Sequence, residues 1–207
     1  MTSVSIIGTG KMGSAIAEIA ARAGADIQII RRRAGAGSSL ERSDAVYGMV
    51  GDDLTGELVV LAVPYEAYPS VLEQYRDRLA GKTVIDIANP IDFTTYDELQ
   101  VPADSSTAVE LSQALPAGVA VVKAFNVNLG DTLSTGTNGT TTTTVLFAGD
   151  DAEAKIAVAA LIEASGLRAI DAGQLSRARE LEAMGFLQIV LAATGKTRYE
   201  SGFTLLQ

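Results

Sequence analysis

The sequence predicts an α/β protein built on a doubly wound, mostly parallel sheet. An apolar stretch, Val4 to Ile7, runs directly into a glycine-rich turn and then into an alanine-rich amphipathic segment, Lys11 to about Ala23. Strand-like apolar runs then alternate with helical patterns, which is the rhythm of parallel β-α-β units. One run, Leu58 to Val63, is continuously apolar, as expected for a central strand buried on both faces.

The turn Gly8-Thr9-Gly10-Lys11-Met12-Gly13 predicts a dinucleotide-binding site. Its three glycines would allow a tight bend, close approach of a pyrophosphate to the backbone, and close packing of helix on strand, with the helix N-terminus facing the phosphates. The strand before the turn and the helix after it supply the context that this motif needs. The alternative is a tight strand-to-helix turn that binds nothing.

Three arginines, Arg31, Arg32 and Arg33, follow the second predicted strand. Arg31 lies 18 residues beyond Gly13, close to the position where an acidic residue selects NAD and an arginine accommodates the 2′-phosphate of NADP. A guanidinium can grip a phosphate with two hydrogen bonds or stack on an adenine. The arginines therefore favour NADP(H), and a solvated basic turn is the alternative.

Two further strand ends should line the same crevice, because ligands of doubly wound sheets bind beyond the carboxyl ends of the strands. The first is Ala62-Val63-Pro64-Tyr65, and the second is Ala88-Asn89, which follows the strand predicted for residues 82–88. Asn89 precedes Pro90, so a plain turn is the alternative for that second end.

A third apolar run, Val119 to Asn126, is expected to end at the crevice as well. Two polar residues, Lys123 and Asn126, stand where this run closes. As a pair they can orient a carbonyl-bearing substrate or a nicotinamide, but a strand-end lysine in water explains Lys123 equally well.

The rest of the pattern completes the predicted Rossmann-like sheet with a small C-terminal extension of helix and strand. We expect residues 1–130 to form the nucleotide-binding domain and residues 131–207 to pack on the same globule. A capping box at Thr107-Ala108-Val109-Glu110 predicts the start of a helix there. Further elements are predicted as a third strand at 43–47, a helix at 67–79, a mobile loop at 134–139, a strand at 142–148, a helix from about 150 to 164, a strand at 167–172 and a helix at 176–194.

Composition restricts the chemistry. The chain of 207 residues contains neither cysteine nor histidine, which removes thiol nucleophiles, iron–sulfur ligation, and the commonest general base and metal ligand. We therefore expect no metal site and no dedicated acid–base catalyst. A reaction here has to use a bound cofactor, or carboxylates, lysine, tyrosine, hydroxyls and backbone groups.

Charge and hydropathy restrict the partners. A net charge of −9 argues against nucleic acid, whose binding depends on basic patches. No apolar run approaches the roughly 18 residues of a membrane span, and Met1-Thr2-Ser3 lacks the basic start of a signal peptide. We expect a cytoplasmic protein with a small-molecule redox partner and no membrane partner, and a homodimer as its assembly.

Over nearly its whole length the chain resembles the NADPH-dependent coenzyme F420 reductases, also called F420-dependent NADP oxidoreductases. The cytosolic reductase domain of six-transmembrane ferric reductases is similar too. Besides the glycine turn and the arginines, the resemblance rests on Val63-Pro64-Tyr65-Glu66-Ala67, Ser105-Ser106-Thr107-Ala108-Val109-Glu110, Ala148-Gly149-Asp150-Asp151, Gly166-Leu167-Arg168 and Asp171-Ala172-Gly173-Gln174-Leu175-Ser176.

The resemblance implies direct hydride transfer between the nicotinamide and a deazaflavin, coenzyme F420, stacked in a cleft between the nucleotide domain and the C-terminal part. Such transfer needs reacting carbons about 3 to 3.5 Å apart and little help from side-chain acids or bases. The resemblance further implies that Phe125-Asn126, the loop after them and the helix around Met184 border the second cofactor. Alternatives are a flavin, quinone or ferric chelate as acceptor, or a non-catalytic NADP-sensing module.

Overall fold

The computed structural model describes residues 2–32 and 42–205. Its strands and helices, in chain order, are β1 (Ser3–Ile7), α1 (Lys11–Arg22), β2 (Asp26–Arg31), β3 (Ala45–Met49), β4 (Leu58–Leu61), α2 (Tyr68–Tyr75), β5 (Thr83–Asp86), α3 (Thr107–Ala114), β6 (Ala120–Ala124), α4 (Gly130–Thr135), β7 (Thr137–Asn138), β8 (Thr141–Thr142), β9 (Thr144–Gly149), α5 (Ala152–Ala164), β10 (Arg168–Asp171) and α6 (Ala178–Ala193). Short 3-10 turns cover Tyr65–Ala67, Arg76–Arg78 and Leu175–Arg177.

Eight of these strands form one sheet in the order β10-β9-β6-β5-β4-β1-β2-β3. Every neighbouring pair is parallel except β6 and β9. The chain winds outward from β1 in both directions, so the topological switch point lies between β1 and β4. This topology confirms the predicted doubly wound, mostly parallel fold.

The C-terminal part of the chain shares this sheet, because β9 and β10 extend it beyond β6. A small ribbon of β7 and β8 stands apart from it. The predicted division at residue 130 stays a prediction. No helix in the described part of the chain is both long enough and apolar enough to cross a membrane.

Strand register brings the predicted site residues to one edge of the sheet. Ile7 pairs with Leu61, Leu61 with Asp86, and Asp86 with Lys123. Because these four strands run in the same direction and end at the same level, the segments that follow them emerge side by side.

The core lies on both faces of the sheet, as the alternation of buried side chains requires. Ile6, Val60 and Ile85 face α1 and α5 in one apolar cluster. Ile7 and Leu61, one position away in β1 and β4, face α2 and α3 in another. The central strands are therefore covered on both sides, which explains why Leu58 to Leu61 is entirely apolar.

Two predicted elements differ from the structure. The N-cap of α3 is Ser106, whose hydroxyl accepts a hydrogen bond from Val109 N at 3.2 Å, so the capping box predicted to begin at Thr107 is wrong by one residue. The hydroxyl of Thr107 is used in a buried cluster instead. The loop predicted at 134–139 instead contains the end of the short helix α4 (Gly130–Thr135) and the strand β7 (Thr137–Asn138).

Arg22 holds the short helix α4 in place through hydrogen bonds from its side chain. This residue closes α1, and its guanidinium donates to Leu133 O and Ser134 O at 2.9 Å each, and to Ser165 O at 3.1 Å. These carbonyls stand at the C-terminal ends of α4 and α5, where no partner within the helix is available. One arginine therefore ties three helices together.

We expect Arg22→Met to lower the free energy of unfolding by about 1 to 2 kcal/mol, since three carbonyls lose a charged donor that is partly exposed to solvent. Arg76→Met is the matched control, because Arg76 Nε donates to a single carbonyl, Ala114 O at 2.8 Å. Denaturant unfolding measures both. Equal losses from the two variants would contradict the bridging role of Arg22.

Candidate functional site

Two glycines of the turn allow close backbone contacts, Gly8 with the segment after β4 and Gly13 between α1 and the turn. Gly8 has a φ of 119°, and a Cβ placed there would lie 2.1 Å from Ala62 O. A Cβ on Gly13 would lie 2.4 Å from Gly8 O. Both positions are required by the fold itself, since any side chain would collide with backbone.

Gly10 is different, because a Cβ added there would meet no atom within 4 Å. This residue is the exposed N-cap of α1, with φ −74° and ψ −176°, and no side chain caps the helix. The first amides of a helix have no acceptor within it, and they carry the positive end of the helix dipole. The space over Gly10 is therefore open and suited to an anion.

The arginines after β2 divide into different environments. The Arg31 guanidinium lies over the Tyr47 ring, 3.8 Å from its centroid. Arg32 is exposed just beyond the end of β2. The prediction for Arg33 falls outside the described residues. Arg32 is thus the exposed guanidinium nearest to the end of β2 in the described chain.

The segment after β4 supplies the wall opposite the glycine turn. Ala62 and Val63 are half-buried and Pro64 is exposed. The Tyr65 hydroxyl donates to Glu110 Oε2 at 2.5 Å, and this hydrogen bond, with partial burial, raises the pKa of Tyr65 to about 12. Because its hydroxyl is occupied by α3, Tyr65 offers the cleft its ring and backbone rather than its proton.

Asn89 and Asn126 pair with each other across the ends of β5 and β6. Asn89 Nδ2 donates to Asn126 O at 2.8 Å, and Asn126 Nδ2 donates to Asn89 Oδ1 and to Leu181 O at 2.9 Å each. A carbonyl can only accept, so the bond to Leu181 fixes the orientation of the Asn126 amide. Its Oδ1 is buried and has no hydrogen-bond donor.

A strained turn sets the position of Asn126. Phe125 has a φ of 63°, and Asn126 N donates to Ala124 O at 2.8 Å across it. Left-handed backbone in a bulky residue costs free energy and is found mostly at functional sites. The Phe125 side chain is fully buried in the core, so this residue offers a ligand only its backbone.

Helix α6 packs directly on the asparagine pair at Gly185. A Cβ there would lie 2.5 Å from Asn89 Oδ1 and 2.7 Å from Asn126 O. Met184, predicted to border the cleft, is half-buried and packs on a small cluster of Val127, Ala148 and Leu181. The helix therefore sits as close to the sheet edge as its backbone permits.

At the first turn of α1, Lys11 reaches across to the C-terminal part of the chain. Its ammonium forms a salt bridge of 2.7 Å with Asp131 of α4, and it lies 5.7 Å from the centroid of the Tyr199 ring.

The other predicted residues of the turn are less exposed. Met12 is half-buried against the core, and Thr9 is half-buried. Ala88 is buried at the end of β5.

Lys123 is neither in water nor directed at a substrate. Its side chain is fully buried, and its ammonium lies 3.0 Å from Asp86 Oδ2, 2.7 Å from Glu182 Oε1, 2.8 Å from Thr107 Oγ1 and 2.5 Å from Ala88 O. Neither sequence-based interpretation of Lys123 therefore describes this residue. A charged side chain with no exposure has to be paired, and here its partners come from β5, α3 and α6.

Sequence reasoning missed this cluster, although one signal was available. Asp86 and Lys123 are charged residues of opposite sign inside apolar strands, and they are direct neighbours in the sheet. Tyr68 donates from α2 to Asp86 Oδ1 and completes the group. The sequence pattern of α6 did not indicate that Glu182 is buried or that it pairs with Lys123, which is 59 residues away.

Comparison with known proteins agrees with this architecture. Residues 3–90 match the family model described as NADP oxidoreductase, coenzyme F420-dependent. An F420-dependent NADP reductase of Methanocaldococcus jannaschii is 33% identical over 147 residues, which cover 69% of this chain and 65% of that protein. The metalloreductase STEAP3 of Rattus norvegicus is 37% identical over 128 residues, or 62% of this chain and 25% of that protein.

A solved structure extends the similarity to the whole chain. A protein of Arthrobacter sp. FB24, provisionally named an F420-dependent NADP reductase, superposes with a TM-score of 0.85 at 27% identity and covers 99% of both chains. The match to each of the two curated relatives spans less than two thirds of that relative's length.

The family resemblance predicted from the sequence is thus confirmed. Residues 3–90 fit the model of the coenzyme F420-dependent NADP oxidoreductases, and the chain is similar to proteins of that name beyond those residues.

Proposed function

We propose that the protein is an NADP(H)-dependent oxidoreductase that transfers a hydride between NADPH and a deazaflavin of the coenzyme F420 type. The observation that carries the nucleotide half is the open space over Gly10, which a Cβ would fill without touching protein. A helix N-terminus facing such a space fits a pyrophosphate.

The remaining parts of an NADP(H) molecule have fitting partners on both sides of that space. Arg32 is exposed near the end of β2, where a 2′-phosphate is expected, and the Arg31 guanidinium presents a flat surface beside it. On the other side, the half-buried Asn89 stands at the end of β5, where a carboxamide is expected, and Asn126 fixes its amide through two hydrogen bonds.

When bound, NADPH supplies the hydride, and the tasks left to the chain are positioning and exclusion of water. The asparagine pair and the strained Phe125 turn hold the end of β6, while Gly185 lets α6 approach it. The absence of histidine and cysteine fits a reaction that needs aligned rings rather than an acid or a base.

Coenzyme F420 is the proposed acceptor because the archaeal relative and the family are named for it. A second candidate is a flavin-linked or ferric acceptor, which the 37% identity to the rat metalloreductase favours. A cytoplasmic location, a homodimer and the boundary at residue 130 remain predictions from the sequence.

The turnover experiment mixes the purified protein with NADPH and, in separate reactions, with coenzyme F420, FMN, a quinone and a ferric chelate. The decay of nicotinamide absorbance measures hydride loss, and we expect it to be fastest with F420. Faster reaction with another acceptor would move the assignment to that acceptor. Tight NADPH binding without turnover on any of them would indicate a sensing module and contradict the enzyme.

We expect Gly10→Val to abolish NADPH binding while the protein stays folded, because the side chain enters open space that the pyrophosphate would occupy. The stability loss should be about 1 kcal/mol, because the backbone angles of Gly10 suit any residue and valine is only a poorer N-cap than glycine. Fluorescence titration with NADPH and thermal unfolding measure the two effects.

Gly10→Ala is the graded control and should bind NADPH with intermediate affinity. Gly8→Ala should instead destabilise the fold, because its Cβ would meet Ala62 O. Unchanged NADPH affinity in Gly10→Val would refute the site.

We expect Arg32→Ala to weaken NADPH binding by roughly 1.5 to 3 kcal/mol and NADH binding much less, since one charge-assisted contact to the 2′-phosphate is lost. Arg76→Ala, which removes an arginine from the far end of α2, serves as the control and should change neither affinity. Equal weakening of both nucleotides by Arg32→Ala would show that Arg32 does not read the 2′-phosphate.

A further inference from the structure

The buried cluster around Lys123 contains one more short contact than its protons can satisfy. Thr107 Oγ1 lies 2.6 Å from Asp86 Oδ2 and 2.6 Å from Glu182 Oε1. A hydroxyl has one proton, so it can donate to only one of these oxygens. At 2.6 Å the other pair of oxygens also requires a proton between them.

Lys123 cannot supply that proton. Its three N–H groups are taken by Asp86 Oδ2, Glu182 Oε1 and Ala88 O, at 3.0, 2.7 and 2.5 Å. Its approach to Thr107 Oγ1, at 2.8 Å, adds a fourth neighbour to a group with three donors. The missing proton therefore belongs to one of the two carboxyl groups.

The surroundings of the two carboxyl groups differ. Asp86 accepts from the Tyr68 hydroxyl, from Ala88 N at 2.9 Å and from Lys123, an arrangement that favours a carboxylate. Glu182 accepts from Lys123 and from Thr107 N, which it meets at 2.9 and 3.2 Å with its two oxygens. Fewer donors thus stabilise a charge on Glu182.

We propose that Glu182 is a protonated, neutral carboxylic acid in the folded protein at neutral pH, and that in this form it is the positioning residue that fixes α6 against the end of β5. Glu182 donates to Thr107 Oγ1, which donates to Asp86 Oδ2, and the cluster then carries one positive and one negative charge. A neutral cluster avoids the large cost of a buried net charge. That Glu182 thereby shapes the side of the cleft facing the hydride acceptor rests on the proposed function.

Electrostatics supports this assignment. Burial is the largest influence on Glu182 and raises the pKa of its carboxyl, as does repulsion by Asp86, while attraction by Lys123 and hydrogen bonds lower it only in part. The charged groups that face Glu182 are Lys123 from β6 and Asp86 from β5, with Tyr68 from α2 beyond Asp86. Its own helix and the loop after β5 contribute Arg179, Glu180, Asp97 and Glu98, which line a cavity of about 450 Å³ that Glu182 also borders.

The cluster pins both sides of the candidate cleft. Lys123 and Asp86 hold Ala88 by its carbonyl and its amide, and thereby place Asn89. Glu182 holds α6 three residues before Gly185, which packs on that same asparagine. Loss of the Glu182 proton would leave a net negative charge between these two sides.

The sign of the pH effect follows from linkage. A folded-state pKa above the unfolded value of 4.5 means that the native protein binds the proton more tightly. The stabilisation is complete below the unfolded pKa and is lost as the pH rises through the folded-state value. Glu182→Gln keeps a neutral donor and should lack this loss.

The first test is isotope-edited infrared spectroscopy of the wild-type protein at pH 7, without nucleotide or acceptor. We expect a carbonyl band of a protonated, solvent-shielded carboxylic acid, which disappears in Glu182→Gln. Absence of the band in the wild type would overturn the proposal. Persistence of the band in Glu182→Gln would assign the proton to another carboxyl group and also overturn it.

The second test compares melting temperatures from pH 5 to pH 9. The wild type should lose stability relative to Glu182→Gln as the pH rises. Asp86→Asn should not show this alkaline loss, because Glu182 would then ionise to pair with Lys123. Parallel curves for the wild type and Glu182→Gln would contradict the proposal. Neither test uses the reaction, so the two proposals can fail separately.

The third test addresses positioning and uses the acceptor identified by turnover. The KM for that acceptor should rise more steeply at alkaline pH in the wild type than the dissociation constant of NADPH does, and this rise should be absent in Glu182→Gln. A purely structural role would move both constants together. Identical alkaline profiles in the two proteins would refute the positioning role.

Discussion

The buried ammonium of Lys123 is the interaction on which the cleft side of this protein depends. An isolated charge with no access to water would cost several kcal/mol, so the fold has to bring it compensating groups. Those groups come from β5, α3 and α6, and the helices are thereby drawn toward one point at the edge of the sheet. The cleft on that edge inherits its shape from this electrostatic requirement.

The glycine turn and the charged cluster contribute different kinds of order to the same edge. Gly8 and Gly13 let backbone meet backbone, which is a steric condition that the fold needs with or without a ligand. Gly10 is not required by such a steric condition. The cluster around Lys123 fixes the opposite side of the cleft through ion pairs rather than through steric fit. The candidate nucleotide cleft therefore has one wall held by packing and another held by electrostatics.

The sheet and the glycine turn could be predicted from the sequence because both depend on local residue patterns. The sheet topology follows from alternating apolar runs and helices, and the spacing of Gly8, Gly10 and Gly13 predicts the turn geometry. Opposite charges in two apolar strands could have indicated the pair of Asp86 and Lys123. Thr107 and Glu182 could not be predicted as partners of Lys123, since they are 16 and 59 residues away and meet it only in the folded chain. The N-cap of α3 is Ser106 rather than the predicted Thr107, and the hydroxyl of Thr107 is hydrogen-bonded within that cluster instead.

Gly185 has a consequence for the evolution and redesign of the cleft. Even a methyl group there would overlap the side chain of Asn89 and the backbone carbonyl of Asn126, so residues 185 and 89 cannot change size independently. A lineage that places a larger residue at either position must change both together, or pass through a poorly packed intermediate. The width of the cleft is therefore resistant to single mutations, and a designer who wants to admit a bulkier acceptor has to begin with this pair.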